Sequence, residues 1–485
     1  MPLLAAPLCL LANDRRLAWG ISLVAGWSAF VIAALQLGLA LDGEIVSYEL
    51  GGWSAHWGIE YRVDVVNAFV LLIVSGIGSM VLLYARLSVQ QEIYAGRVPL
   101  FYAVYMLCLG GMLGVAVTGD AFNLFVFLEI ASLSAYALIA FSEERRALTS
   151  AYQYLIMGTI GATFILIGIG LLYMMTGTLN MQDIAVRLPA VSGNHTIVTA
   201  FAFLTVGISI KLALVPMHLW LPNAYAFAPS VVTAFIAATS TKIAFYVLLR
   251  FMYTIFGASF AFQYMPLSII FLALALTAMF AGSLAAIFQD NVKRMLAYSS
   301  VAQIGYMILG ISLGSATGLT AAILHLFNHA LMKAALFLVL GCVYYRFGRV
   351  NMEQLRGLGR SMPWTMAAFV IGGLSLIGVP LTVGFISKWY LVLAALEQGW
   401  WPVAVAVLLA SLLAVVYIWR VIEAAYFQTA DDNSHVVPRE APLSMLLPTW
   451  ALIIANLYFG IDSSLTTGAA GQAAQCLLAM CVLPQ

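Results

Sequence analysis

Charge is what this 485-residue sequence has least of: 8% of its side chains are Asp, Glu, Lys or Arg. An ordinary soluble domain carries ~25%. That scarcity excludes a soluble enzyme, a disordered chain and a nucleic-acid binder. The net charge of +1 says nothing further about partners. Cysteine is sparse too. Cys9, Cys108, Cys342, Cys476 and Cys481 are scattered, with no CxxC pair and no cluster, so they read as small apolar fillers. No haem or iron–sulfur ligand set is visible, so no cofactor is expected and redox chemistry would belong to another chain. No nucleotide-binding loop occurs either, which removes direct drive by ATP.

What the chain has in abundance is apolar surface, with 63% hydrophobic residues and a mean hydropathy of +1.00. Fourteen membrane helices of ~22 residues would use ~310 residues, close to the apolar total. The fold class is therefore all-α, polytopic and embedded in the bilayer. Candidate spans run over 1–12, 17–41, 63–84, 99–118, 121–141, 150–176, 196–215, 228–256, 264–289, 294–314, 316–345, 363–396, 401–427 and 442–460. The first is ~18 Å long as a helix, short of the ~30 Å of hydrocarbon. It has no signal-peptide pattern, so the alternatives are a half-inserted helix and a chain whose beginning is missing, the second being the expectation.

Basic residues then orient the bundle. Arg15, Arg16, Arg86, Arg97, Arg145, Arg146, Lys293, Arg294, Arg346, Arg349, Arg356, Arg360 and Arg439 fall in odd-numbered connections, whereas the even-numbered ones hold only Arg62 and Arg187. By the positive-inside rule the odd connections are cytoplasmic and both termini face out, in the cell's inner (plasma) membrane. The stretch from Asp42 to Asp64, with Trp53, Trp57 and Tyr61, reads as an outer loop or short hairpin.

The remaining basic residues, Lys211, Lys242, Arg250, Lys333, Lys388 and Arg420, lie inside spans, against Glu129, Glu423 and, at a span mouth, Asp64. A charge at the bilayer centre costs at least ~2.5–3.5 kcal/mol. Pairing or snorkelling accounts for Arg250, Arg420 and Glu423 near span ends. It fits Glu129, Lys211, Lys242 and Lys388 poorly, because one glutamate cannot pair three lysines. Two spans also look broken, one at Pro216 with His218 and Pro222 after it, the other at Pro380 between Gly378 and Gly384. Two interrupted helices, each with a nearby lysine and five spans apart, are the mark of an inverted-repeat transporter. One repeat is placed over 99–256 and the other over 264–427, with 1–98 preceding them and 428–485 holding the last helix and a tail.

At these residues the chain resembles the antiporter-like subunits shared by respiratory NADH:quinone oxidoreductase (complex I) and the Mrp-type multi-subunit cation/proton antiporters. The matching segments are Leu124-Phe-Val-Phe-Leu-Glu129-Ile-Ala-Ser-Leu-Ser-Ala-Tyr136, Lys211 through Pro229, Gln289 through Ser300, His325-Leu-Phe-Asn-His329-Ala-Leu-Met-Lys333, and Gly378 through Leu391. They follow in family order over most of the chain. The D-type component of the Mrp antiporters is most similar, on Thr176 through Asp183 and Arg356 through Trp364; the N-type component of the quinone reductase is the runner-up. Asn223 departs from the family, which often carries Asp there. The largest members' carboxy-terminal extension is absent, implying a minimal fourteen-helix version.

The resemblance implies roles. Glu129 and Lys211 match the family's glutamate–lysine pair, Lys242 its central relay residue, and Lys388 the terminal residue that exchanges with one aqueous side. A proton path needs titratable groups tuned toward neutrality and joined by water. His325, His329 and Lys333 stand at i, i+4 and i+8 and so share one face. Two such histidines could hold a metal, but the HExxH context is absent and no third ligand is evident. Packing histidines remain an alternative. A hydrated proton wire is favoured, because imidazole both accepts and donates. Asp64 and His218 are accessory candidates. Gly110-Gly111 and Gly372-Gly373 read as close-packing positions.

The implied function is proton translocation within a hetero-oligomeric membrane complex, in exchange for a monovalent cation, sodium being expected. The alternatives are a proton-pumping subunit of a quinone reductase and a structural scaffold.

Overall fold

The computed structural model describes residues 1–479 except 13, 56 and 430–438, so Cys481 and part of the tail lie outside the described residues. Nearly everything described is helix: α1 (Pro2–Ala12), α2 (Arg15–Leu41), α3 (Val65–Glu92), α4 (Val98–Val117), α5 (Ala121–Ala140), α6 (Arg145–Thr176), α7 (Met181–Arg187), α8 (His195–Leu212), α9 (Trp220–Phe227), α10 (Ser230–Leu249), α11 (Leu267–Ile287), α12 (Val292–Ser312), α13 (Ala316–Phe347), α14 (Leu358–Ser361), α15 (Pro363–Ile377), α16 (Val383–Glu397), α17 (Trp401–Phe427), α18 (Leu443–Ile461) and α19 (Ser464–Leu478). In hydrocarbon every backbone N–H must bond within its own segment, which forces apolar runs into helices. Short polar side chains set where they start. Asp14, Asp64, Asp120, Asn194, Asn291 and Ser315 each accept from first-turn N–H groups of the helix they precede.

Twelve of these helices are long and apolar enough to cross a membrane. The fourteen expected from sequence exceed this at two places. The helix α1 has 11 residues, and the twelfth expected span is cut into α15 and α16, of 15 residues each. Four helices lie outside the expected spans: α7, α9 and α14 in connections and α19 after the last of them. The outer segment is a hairpin, β1 (Val46–Glu49) pairing antiparallel with β2 (Glu60–Val63).

The hub is α13, buried along its length and packed against α3, α10, α12, α15, α16, α18 and α19. By contrast α2, α6, α11 and α17 turn most of their surface outward, as lipid-facing helices do. Cys9, Cys108 and Cys342 are buried free thiols, in keeping with a filling role. The glycine pairs are contact points: a Cβ on Gly111 would meet Ala131 N at 2.6 Å, and one on Gly373 would meet Ile418 Cγ2 at 2.7 Å.

Candidate proton relay

Both expected breaks exist. The helix α8 ends at Leu212, with Ala213 left-handed (φ 62°), and the chain re-enters a helix at Trp220. The indole of Trp220 reaches back across the gap to donate to Ile210 O (3.0 Å). The second break separates α15 from α16 at Gly378 (φ 93°) through Thr382, and includes Pro380.

Beside the first break, Lys211 donates to Glu129 Oε1 and to Ser132 Oγ, both at 2.9 Å. Its ammonium occupies the last turn of α8, the negative end of that helix dipole. The lysine side chain is 5% exposed and the glutamate 23%. A cavity of about 30 Å³ extends from the lysine, lined by Lys211, Ser132, Tyr154 and Ser240. A water needs ~10–15 Å³ on that measure, so the space suits one or two. Ser240 is two residues from Lys242 on α10.

Lys242 is wholly buried and donates to Ala237 O (2.6 Å), with Thr241 Oγ1 at 3.4 Å. His329, Lys333 and His325, all on α13, lie within its electrostatic range. Lys333 donates to Leu296 O (2.7 Å) and to the Ser299 hydroxyl. The His325 and His329 rings stack with centroids 6.1 Å apart. His325 Nδ1 shares a 2.9 Å hydrogen bond with Ser387 Oγ, next in sequence to Lys388. Lys388 donates to Leu376 O (3.0 Å) and Ile377 O (2.8 Å), the terminal carbonyls of α15, and lies 4.8 Å over the Tyr306 ring. Tyr306 in turn is 5.5 Å from the His325 ring. Lys211, Lys242, His325, His329, Lys333 and Lys388 are thus all buried between the two breaks, with Glu129 partly exposed beside Lys211.

Three buried imidazole nitrogens, His325 Nε2 and both of His329, have no hydrogen-bond partner among the described residues. An unsatisfied buried polar group costs ~1–3 kcal/mol, so these sites favour hydration. Among the described residues, no group of three or more His, Cys, Asp or Glu could hold a metal.

The accessory candidates sit apart. Asp64 pairs with Arg250 Nη2 at 2.7 Å, and Arg250 Nε donates to Tyr246 OH (3.0 Å), so this is a buried ion pair at a helix end. His218 lies in the first break, its ring 6.5 Å from that of Tyr298. Arg420 bonds to Ile287 O and faces Asp290 (3.6 Å), while Glu423 is exposed. Ser132, Ser299, Ser387 and Tyr306 join the site without any sequence signal, because lone hydroxyls carry no periodicity. Lys293, a loop charge by sequence, is only 4% exposed.

Two broken helices with buried lysines and histidines between them are the features of a membrane ion-translocation subunit. The chain belongs to the family described as NADH:quinone oxidoreductase/Mrp antiporter, TM, whose profile matches residues 118–414. It is 42% identical to the N-type component of the NADH-quinone oxidoreductase of Desulforudis audaxviator, over 91% of this chain and 90% of that one. It is 30% identical to the D-type component of the Na(+)/H(+) antiporter of Alkalihalophilus pseudofirmus, over 90% and 88% respectively. Its fold matches a chain of the Mrp complex from Dietzia sp. with a TM-score of 0.90 at 26% identity, covering 98% of this chain and 96% of that one. A chain of an archaeal membrane-bound sulfane sulfur reductase matches with a TM-score of 0.89 at 29% identity, covering 99% and 98%.

Proposed function

We propose that this chain is the proton-translocating subunit of a multi-subunit monovalent cation/proton antiporter, with sodium, named in the antiporter relatives, as the cation. The observation that carries this is the line Glu129–Lys211–Lys242–Lys333/His329/His325–Lys388. Among the described residues it holds four buried lysines, and only Lys211 has a carboxylate within 4 Å. Uncompensated buried ammonium groups are costly as scaffolding and useful as proton carriers. Glu129, partly exposed at mid-helix, supports a neighbouring subunit against α5.

The repeats are assigned as 99–256 and 264–427. In their support, the break falls in the fourth member of each series, α8–α9 after α4, α5 and α6, and α15–α16 after α11, α12 and α13. The basic connections are assigned to the cytoplasm of the plasma membrane, with both termini outside. Arg145, Arg146, Lys293 and Arg349 gather around one cavity and Arg62, Asp64 and Gln182 around another, which supports connections alternating between two faces.

Two experiments test this. Glu129→Ala and Lys211→Ala should each abolish cation-dependent pH change in vesicles holding the assembled complex; near-normal activity from Lys211→Ala would defeat the relay. Cysteines near Arg356 should be shielded from an impermeant reagent outside the cell, whereas cysteines near Glu49 should react; the reverse pattern would invert the topology.

The 42% identity to a quinone reductase component favours a second reading, in which electron transfer in another chain drives the same relay. Proton movement that follows a reductant and quinone and ignores sodium would select it.

A further inference from the structure

At the basic-connection end of the bundle a cavity of about 500 Å³ opens where α3 and α9 end and α10 and α12 begin. Its rim is charged and exposed, carrying Glu144, Arg145, Arg146 and Arg349. Its floor is different. Lys293 is buried there, donating to Ser230 Oγ (3.1 Å) and Ala228 O (3.4 Å), and its ammonium lies 4.7 Å over the Tyr344 ring. No carboxylate lies within 4 Å of it among the described residues. Glu92, on α3, is occupied at the N-terminus of α10, where its Oε2 accepts the Ser230 N–H at 2.8 Å and its Oε1 the Ser88 hydroxyl at 2.6 Å. Glu144 is the other acid in electrostatic range of Lys293.

Position along α12 gives this lysine its meaning. Leu296, whose carbonyl accepts from Lys333, is three residues further along the same helix, an axial rise of ~4.5 Å. Ser299, which holds Lys333 through its hydroxyl, is one turn beyond that. The cavity floor at Lys293 and the groups that hold the relay's α13 lysine, Leu296 and Ser299, therefore lie within two turns of one helix. A buried ammonium with no ion-pair partner would be replaced by an apolar side chain at little cost if packing were its only task.

We propose that this cavity is the mouth through which protons reach the relay from the basic-connection side, and that Lys293 loads them onto Lys333. The proton moves from the Lys293 ammonium along a chain of waters to the Ser299 hydroxyl, which donates to the neutral Lys333 amine as it accepts from the last water. Lys293 is then reprotonated from cavity water, and no electron changes hands. This rests on the relay reading above.

Lys293→Arg is the deciding variant. Arginine keeps the charge and the hydrogen bonds, but it does not release its proton in proteins. Transport by the assembled complex in vesicles should fall about a hundredfold, the order of a lost proton-transfer group. A structural lysine would be rescued by arginine, so wild-type transport in Lys293→Arg overturns the proposal. Lys388→Met, measured alongside, separates the two levels. Loss there with full activity in Lys293→Arg sinks the mouth alone, whereas full activity in Lys388→Met sinks the relay beneath it. If Lys293→Arg fails to assemble, Ser142→Cys on the cavity wall, in a background without the native cysteines, decides the matter. A charged impermeant thiol reagent added from the basic-connection side should slow transport, and the same reagent from the other side should not. Complete labelling without slowing overturns the proposal.

Discussion

Lys211 and Lys388 both stand beside a helix break, but they are held by different chemistry. Lys211 belongs to the half-helix before its break and is met by a carboxylate from a neighbouring helix, Glu129, at 2.9 Å. Lys388 belongs to the half-helix after its break and reaches back to two carbonyls, Leu376 O and Ile377 O, that the break itself set free. Opening a helix leaves orphan acceptors, and the second break uses them in place of a counter-ion. If both lysines carry protons as proposed, the first site switches by parting from its glutamate. On the same proposal the second, held by carbonyls and with no carboxylate within 4 Å among the described residues, exchanges its proton against water and the fixed dipole of α15.

The largest expected effect tests whether both lysines carry protons. Lys211→Arg should retain the pair with Glu129, and Lys388→Arg should retain the carbonyl contacts, yet each should lose transport by about a hundredfold because arginine holds its proton. Transport measured in vesicles would show both losses. If Lys388→Arg works while Lys211→Arg does not, only the first break conducts, and the second becomes a hinge.

An intermediate effect is expected from the segment joining the two breaks. His329→Gln can replace hydrogen bonds but not titration, and Lys333→Met keeps length and apolar contact. Each should slow transport by about ten- to a hundredfold and shift its pH profile, without loss of assembly. Unchanged rates and profiles in both would leave packing as the only role of that face of α13. A control lies off the line: Asp64→Asn breaks the buried pair with Arg250 and should cost about 3–5 kcal/mol of stability, read as a lower melting temperature of the complex.

Much of this comparison is legible in the sequence, for a physical reason. A charge deep in an apolar run is expensive, so Glu129, Lys211, Lys242 and Lys388 stand out against their surroundings, and proline inside such a run marks both breaks. The i, i+4, i+8 spacing puts His325, His329 and Lys333 on one face without any contact being known. What escapes lies at boundaries or lacks periodicity. Lys293 reads as a loop charge beside an apolar run that starts at 294, whereas α12 begins at Val292 and buries it. The helix α19 is built from Gly, Ala, Gln and Thr beside a few leucines, too mild a pattern to announce a helix packed on α3 and α13. The hydroxyls that bond to Lys211, Lys333 and His325, those of Ser132, Ser299 and Ser387, look like any serine in a membrane helix.

The smallest effect concerns two left-handed residues, the ones that end α8 and α15, which are occupied differently. Ala213 carries a Cβ at φ 62°, whereas Gly378 at φ 93° has none. A side chain in that region costs ~1–2 kcal/mol. Gly378→Ala incurs that strain and adds a Cβ 2.9 Å from Lys388 Cδ, so the lysine must shift away from the carbonyls of α15. Ala213→Gly removes the same strain but gives up one buried methyl, worth ~0.8 kcal/mol, and frees the unfolded chain by a further ~0.4–1 kcal/mol. The two substitutions should therefore part company in thermal unfolding of the purified complex: a loss of about 1–2 kcal/mol for Gly378→Ala, and a change within about 0.5 kcal/mol of zero for Ala213→Gly. Transport should follow the geometry rather than the stability. Gly378→Ala should slow it because Lys388 leaves its acceptors, while Ala213→Gly, with Lys211 still anchored by Glu129 and Ser132, should not. Equal slowing by both would mean that Lys211 too depends on the backbone of its break, and the contrast between carboxylate-held and carbonyl-held lysines would fall.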